Sequence, residues 1–244
     1  MSIGHEIFNY EGMYDSDTEQ SWRKAGAVDK VSNIQKIVEG LIDLEHLNIC
    51  EIGCGDGAIS QQLSDKKMFR RYQGYEISNS GVKAAKNRKI PNASFQIISP
   101  VAGDNKFKKA DVVILCHVIE HLENPRELLS EAREISDFLI VEVPLEDNRG
   151  LGLDYDWDPV GHINKFNFKT IRQLLQTCDY QIMRQFTSNP SRQVRTFFDN
   201  SLKAKLVWII KEYTLRLSPT IAKLLFTYHE TILARKIEHR RLLD

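Results

Sequence analysis

Nothing in this chain of 244 residues is apolar over the roughly 18 positions that a membrane span requires. Its start, Met1-Ser2-Ile3-Gly4-His5-Glu6, has no signal-peptide character. Net charge is absent too: 33 Lys and Arg offset 33 Asp and Glu, so no overall field draws in nucleic acid. Cysteine is scarce. Cys50, Cys54, Cys116 and Cys178 form no paired C-x-x-C spacing, which excludes a disulfide scaffold and reads as reduced, buried thiols of a cytoplasmic protein. Internal repeats and low-complexity tracts are missing as well. What is present, 42% hydrophobic and 27% charged residues, suffices for the core of one large or two small domains.

Residues 1–30 read as a loose N-terminal arm or cap. Val31, Ile34, Ile37, Val38, Leu41 and Ile42 then recur at helical spacing. From there the period changes repeatedly. Strands are predicted at Leu47–Ile52, Arg71–Ile77, Ala93–Ile98, Asp111–Cys116 and Phe138–Val143, with helices at Ala58–Met68, Gly81–Lys89 and after Asn124-Pro125. This alternation predicts an α/β fold, a doubly wound, mostly parallel sheet with helices on both faces. A long loop, 145–166, precedes a helix at Phe168–Cys178, a sixth strand near Tyr180–Thr187 and a seventh within Phe226–Ile237. The units expected are a core of 31–187 with 226–244, and a helical insertion at 188–225. That insertion has seven positive against two negative charges, a net of +5.

Glu51-Ile52-Gly53-Cys54-Gly55-Asp56-Gly57-Ala58 leaves the first strand and opens a helix. Its glycines permit positive φ and let a ligand touch backbone amides. Gly53, Gly55 and Ala58 also fit the dinucleotide fingerprint G-x-G-x-x-G/A. Charge separates the two ligands: Glu51 and Asp56 would each repel a pyrophosphate by about 1 kcal/mol or more, but suit a cationic ligand such as S-adenosylmethionine. Glu76, 19 residues beyond Gly57, stands where a wound sheet presents a carboxylate to ribose hydroxyls.

E-I-G-C-G-D-G, Y-E-I-S, A-D-V-V-I-L-C-H-V-I-E-H-L and L-I-V-E-V-P, in this order, resemble the class I S-adenosylmethionine-dependent methyltransferases. G-H-I-N-K-F-N-F-K-T-I-R-Q-L-L is similar to the small-molecule members of that family, including the O-methyltransferases of ubiquinone biosynthesis. The resemblance implies a seven-stranded Rossmann-like fold and S-adenosylmethionine as cofactor. It places Glu51, Gly53, Cys54, Gly55, Asp56 and Gly57 around the methionine part, Glu76 on the ribose and Ile77 against adenine. Cys116 and His117 would flank the sulfonium. Members commonly carry an acidic residue after the third strand; here stands Ser99-Pro100, so adenine recognition falls to Ser99 or the backbone.

His117, Glu120 and His121 form H-x-x-E-H, the inverted zinc-protease signature, but here it follows a buried strand rather than lying on a long helix. With no fourth ligand evident, no metal is assigned. His162, in the loop after the fifth strand, can serve as the base for a hydroxyl acceptor; His162 and His117 are the candidate catalytic residues. Tyr155, Trp157 and Asp154, Asp156 and Asp158 either line the acceptor pocket or form a solvated loop. The expected activity is in-line O-methylation of a small molecule, with no nucleic-acid partner. A cofactor-binding module without turnover, and RNA or protein methylation, stay open. In the insertion, Leu202, Leu206, Ile209, Ile210, Tyr213 and Leu217 share one helical face, which either packs on the core as a lid or meets a membrane surface.

Overall fold

A computed structural model describes residue 14 and residues 17–99, 106–151 and 161–238. Seven strands form one sheet in the order β3-β2-β1-β4-β5-β7-β6. They are β1 (Asn48–Ile52), β2 (Arg71–Glu76), β3 (Ala93–Ile97), β4 (Val112–Cys116), β5 (Phe138–Pro144), β6 (Tyr180–Ser188) and β7 (His229–Lys236). The first five pair in parallel, whereas β7 runs antiparallel to both β5 and β6. The expected sheet is therefore present. β4 and most of β5 are buried throughout, because helices cover both faces and leave no room for alternation.

Helix α1 (Asp17–Val38) corrects the reading of the N-terminal part. Residues 17–30 are helical and continuous with the segment predicted from Val31. Ala25, Ala27, Val31, Ile34, Ile37 and Val38 form its buried stripe; the first half uses alanine, too small to stand out as an apolar face. It ends earlier than expected, since Gly40 turns left-handed with φ 71°. Polar contacts dock it as well, among them Asn33 donating to Glu142 Oε2 at 2.8 Å, Asp29 accepting from Ser191 N–H at 2.7 Å, and Arg23 lying 3.6 Å from Asp56.

The remaining helices are α2 (Ala58–Asp65), α3 (Asn79–Asn87), α4 (Pro125–Ile135), α5 (Phe168–Gln176), α6 (Arg192–Arg195), α7 (Leu202–Leu217) and α8 (Pro219–Leu225). The insertion thus holds the two helices expected plus the single turn α6. Antiparallel β7 brings its first residue, His229, opposite Pro144 at the carboxyl ends of the parallel strands. That edge is where wound sheets bind ligands.

Candidate active site

The glycine turn prolongs the β1–β2 ladder past its strands. Gly53 and Cys54 N–H both donate to the Tyr75 carbonyl, at 2.7 and 3.0 Å. Gly53 and Gly55 are left-handed, with φ 79° and 53°. A Cβ on Gly53 would lie 2.5 Å from Val118 Cγ2, and one on Gly55 would lie 3.1 Å from Tyr14 Oη. Neither position tolerates a side chain without displacing a neighbour. The turn is a backbone cradle.

Glu76 closes it from β2. Its Oε2 accepts from Gly55 N–H at 2.9 Å, while Oε1 accepts from Ile77 and Ser78 N–H at 2.9 and 3.0 Å. Both oxygens of this carboxylate thus face backbone N–H groups, of the glycine turn on one side and of the β2–α3 turn on the other. Ile77 is half-buried beside it, and Ser99, two residues past β3, is half-buried as well.

Two acidic residues of the turn behave differently from expectation. Asp56 is 2% exposed; it accepts from Ala58 N–H at 3.2 Å and pairs with Arg88 at 2.7 Å. Its carboxylate accepts at the start of α2 and is answered by Arg88 and Arg23, which weakens both its repulsion of a phosphate and its pull on an ammonium. Glu51 is buried beneath the turn and accepts from the Tyr72 hydroxyl, while its Oε1 has no hydrogen-bond partner among the described residues. Burial raises its carboxyl to about 7, against the lowering pull of Tyr72. The electrostatic case against a dinucleotide is thus weaker at both residues than the sequence implied. Cys54 and Cys116 also differ. Both thiols sit in the apolar core, and burial drives them well above the ordinary thiol range. Only their backbones can serve a ligand.

At the end of β4 the chain makes a tight reversal. His117 is left-handed, with φ 57°, and its N–H donates to the Glu142 carbonyl at 2.9 Å. Its ring lies between two buried carboxylates, Nδ1 3.2 Å from Glu120 and Nε2 3.4 Å from Glu142. His229 joins from β7, 3.6 Å from Glu142 and with its ring centroid 4.6 Å from that of His117. Glu142 Oε2 is held by Asn33 and by the Thr231 hydroxyl, each at 2.8 Å. Burial and Lys30 both disfavour a charged His117, but bonds to Glu120 and Glu142 prevail and raise it above the ordinary histidine value. Burial and the neighbouring His117 hold His229 below that value.

The loop after β5 wraps this turn. Ile163 and Asn164 N–H donate to the Glu120 carbonyl, each at 2.9 Å, and Gly161 O lies 3.1 Å from His121 Nδ1. His162 Nδ1 is 2.8 Å from Glu146 Oε2, which also accepts from Lys165 at 3.0 Å. Burial alone would raise the Glu146 carboxyl; His162 and Lys165 outweigh it and lower it. The His162 and His121 rings stack edge-on at 4.7 Å. Tyr155, Trp157 and the three aspartates 154, 156 and 158 lie outside the described residues. Two groups here carry donors of the metal-binding kind, His117/Glu142/His229 and Glu120/His121/His162. Each offers three ligands, the number that leaves a fourth position open.

Four contributors were not visible in the pattern. Tyr14 lies against Gly55 and Gly81, with Arg23 stacked 4.7 Å over its ring. Its hydroxyl is raised by burial and by Glu76. Arg88, Glu142 and His229 come from distant segments. Glu142 alone left a signal, as the one charge in Phe138–Pro144.

A glycine cradle facing a strand-end acid is shared by nucleotide and methyl-donor enzymes, so comparison with known proteins decides. A family model described as a methyltransferase domain matches residues 20–185. The chain belongs to the methyltransferase-domain family. No curated protein matches its sequence. Among solved structures, magnesium protoporphyrin IX methyltransferase from Synechocystis PCC 6803, with bound SAH, superposes with a TM-score of 0.58 at 19% identity, covering 91% of this chain and 88% of that one. Coclaurine N-methyltransferase, bound to N-methylheliamine and SAH, gives 0.62 at 15% identity over 86% and 72% of the two chains. The [4+2]-cyclase SpnF gives 0.63 at 15% over 94% and 88%. These likenesses show the fold; one of the three is described as a cyclase, so the reaction must be argued from the site.

Proposed function

We propose that this methyltransferase takes a methyl group from S-adenosylmethionine and places it on an oxygen of a small-molecule acceptor. The observation that carries the cofactor assignment is the cradle: left-handed Gly53 and Gly55 facing Glu76 across the ends of β1 and β2. The residues fit that molecule. Gly53 and Gly55 bring backbone within reach of a ligand, Glu76 stands at the strand end where a wound sheet meets ribose hydroxyls, and Glu51 holds an Oε1 that has no partner among the described residues and suits a nearby ammonium. Ile77 and Ser99 stand on the adenine side. When bound, the cofactor supplies a methyl already activated on a cationic sulfur. The protein therefore has to align, exclude water and remove one proton; orientation alone can contribute roughly 7–11 kcal/mol.

His162 is assigned the proton. With Nδ1–H donated to Glu146, Nε2 is the basic nitrogen and the carboxylate stabilises the imidazolium that forms. His117, set between Glu120 and Glu142, is better placed to hold the β4 turn than to act as a second base. The catalytic unit in this assignment is 31–187 with 226–244, extended by residues 17–30 of α1. Free thiols suit the cytoplasm.

The test is transfer of radiolabelled methyl from S-adenosylmethionine to panels of hydroxylated, amine, protein and RNA acceptors. Label on hydroxylated small molecules, lost in His162→Ala, supports the assignment. Label only on amines, protein or RNA overturns the O-methylation. Tight cofactor binding with transfer to none of them leaves a binding module.

A further inference from the structure

From the outward face of the insertion we infer that helices α7 and α8 dock the protein on an anionic phospholipid surface. This goes beyond methyl transfer and does not rest on it. Leu202, Leu206, Ile209, Ile210, Tyr213 and Leu217 are all exposed, Leu202 at 79% and Leu217 at 84%. At about 100° per residue they fill an arc of about 100° along four turns of α7. Ile221, Leu224 and Leu225 of α8 are exposed as well. Turned inward are Ala204, Ala222 and Lys211, all buried, with Val207, Trp208 and Leu215 half-buried beside them. Lys211 is 7% exposed, donates to Thr227 O at 2.6 Å, and is lowered by burial to about 8. The helix therefore sets one face on its own domain and leaves a second, apolar face outward, where an ordinary amphipathic helix is polar. The lid that the sequence allowed, with this stripe against the core, is not formed.

A contiguous exposed apolar face marks an interaction site, and the charges beside it select the occupant. By helical angle Lys203 flanks the stripe on one side and Lys205 and Arg216 on the other, and Arg192 of α6 lines the same depression as Lys205. Only Asp199 and Glu212 answer them within the insertion, and Glu212 is already paired with Arg216 at 3.0 Å. A two-fold contact with a second copy would set this cationic rim against itself. Anionic headgroups meet it with opposite charge, while the apolar stripe enters the acyl boundary and Tyr213 lies at headgroup level. Among the described residues no helix is long and apolar enough to cross a membrane, so α7 lies in the interface.

The orientation has a use. Arg149 N–H donates to Leu224 O at 2.9 Å, and Leu145 N–H to Tyr228 O at 2.7 Å. The patch is thereby tied to the loop that carries Glu146 and His162, which places the site's acceptor side beside the lipid surface.

Flotation of the full chain with phosphatidylcholine vesicles, alone or with one-third phosphatidylglycerol, tests this at low and physiological salt. The expected result is flotation with the anionic vesicles, weaker at physiological salt, and none with the neutral ones. Lys203→Ala with Lys205→Ala should weaken partition about fivefold per cation. Leu206→Glu with Ile210→Glu should abolish it, at unchanged melting temperature and cofactor affinity. Failure of folded wild-type protein to float at low salt overturns the inference. So does a dimer, measured by sedimentation equilibrium, that Leu206→Glu dissociates and that does not float. Cofactor binding, read separately by calorimetry, reports on the methyltransferase assignment whichever way flotation falls.

Discussion

At the carboxyl edge of the sheet, charged groups are buried among groups of opposite charge; in the 188–225 insertion, apolar groups are exposed. Glu142, 1% exposed, holds Asn33, Thr231, His117 and His229, drawn from α1, β7 and the end of β4. Leu217, 84% exposed, touches no core. Burying a carboxylate costs several kcal/mol unless partners compensate it, so the first arrangement persists only because a site needs it. Exposing a row of leucines forgoes about 1.5–3 kcal/mol each, so the second persists only if something outside the chain covers them. The two departures from ordinary burial mark two different surfaces, the proposed acceptor site and the proposed docking face.

That contrast can be broken deliberately. The largest effect is expected from Leu115→Glu in β4, where a charge without a partner enters a fully buried strand; the loss of several kcal/mol should leave no cooperative thermal transition. Next comes His162→Ala. Turnover should fall ~10²-fold or more with cofactor affinity retained, and wild-type turnover would reduce His162 to a loop anchor.

Glu51→Gln sharpens the picture through pH. The folded carboxyl is raised to about 7, above its unfolded value. Its contribution to stability is therefore complete in mild acid and is lost as pH rises through 7. Urea denaturation of the cofactor-free protein at pH 5 and pH 8 should show the variant gaining on wild type by on the order of 1–3 kcal/mol. An equal difference at both pH values would mean that Glu51 titrates normally. The smallest effect belongs to Leu206→Glu. Half or more exposed, it should change stability by no more than about 0.5 kcal/mol, even though the chemical change is the same as in β4.

Much of this was legible in the sequence, for physical reasons that also explain the rest. Local period revealed the alternating strands and helices, and Gly53, Gly55 and Gly57 announced a turn that needs positive φ. The helical start of α1 was hidden, because Ala25 and Ala27 bury through tertiary docking rather than through apolar character. The role of Asp56 was misread for a related reason: its partner Arg88 lies 32 residues away, beyond any local pattern. His229 could not be matched to His117, because β7 enters antiparallel between β5 and β6 after the whole insertion. For the insertion, the sequence located the stripe and its cations correctly, but whether that stripe faced in or out depended on the burial of Lys211.

The central assignment is the cofactor cradle, and calorimetric titration with S-adenosylmethionine tests it most directly on wild type, Gly55→Arg and Glu76→Gln. The arginine fills the cradle that Tyr14 and Gly81 border, and the amide replaces an oxygen that accepts backbone N–H with a donor. The expected result is saturable binding by wild type and a loss of at least about a hundredfold in each variant, equivalent to roughly 2.7 kcal/mol. Circular dichroism checks that both variants remain folded. Undiminished binding by both folded variants, or no binding by wild type, would contradict the assignment.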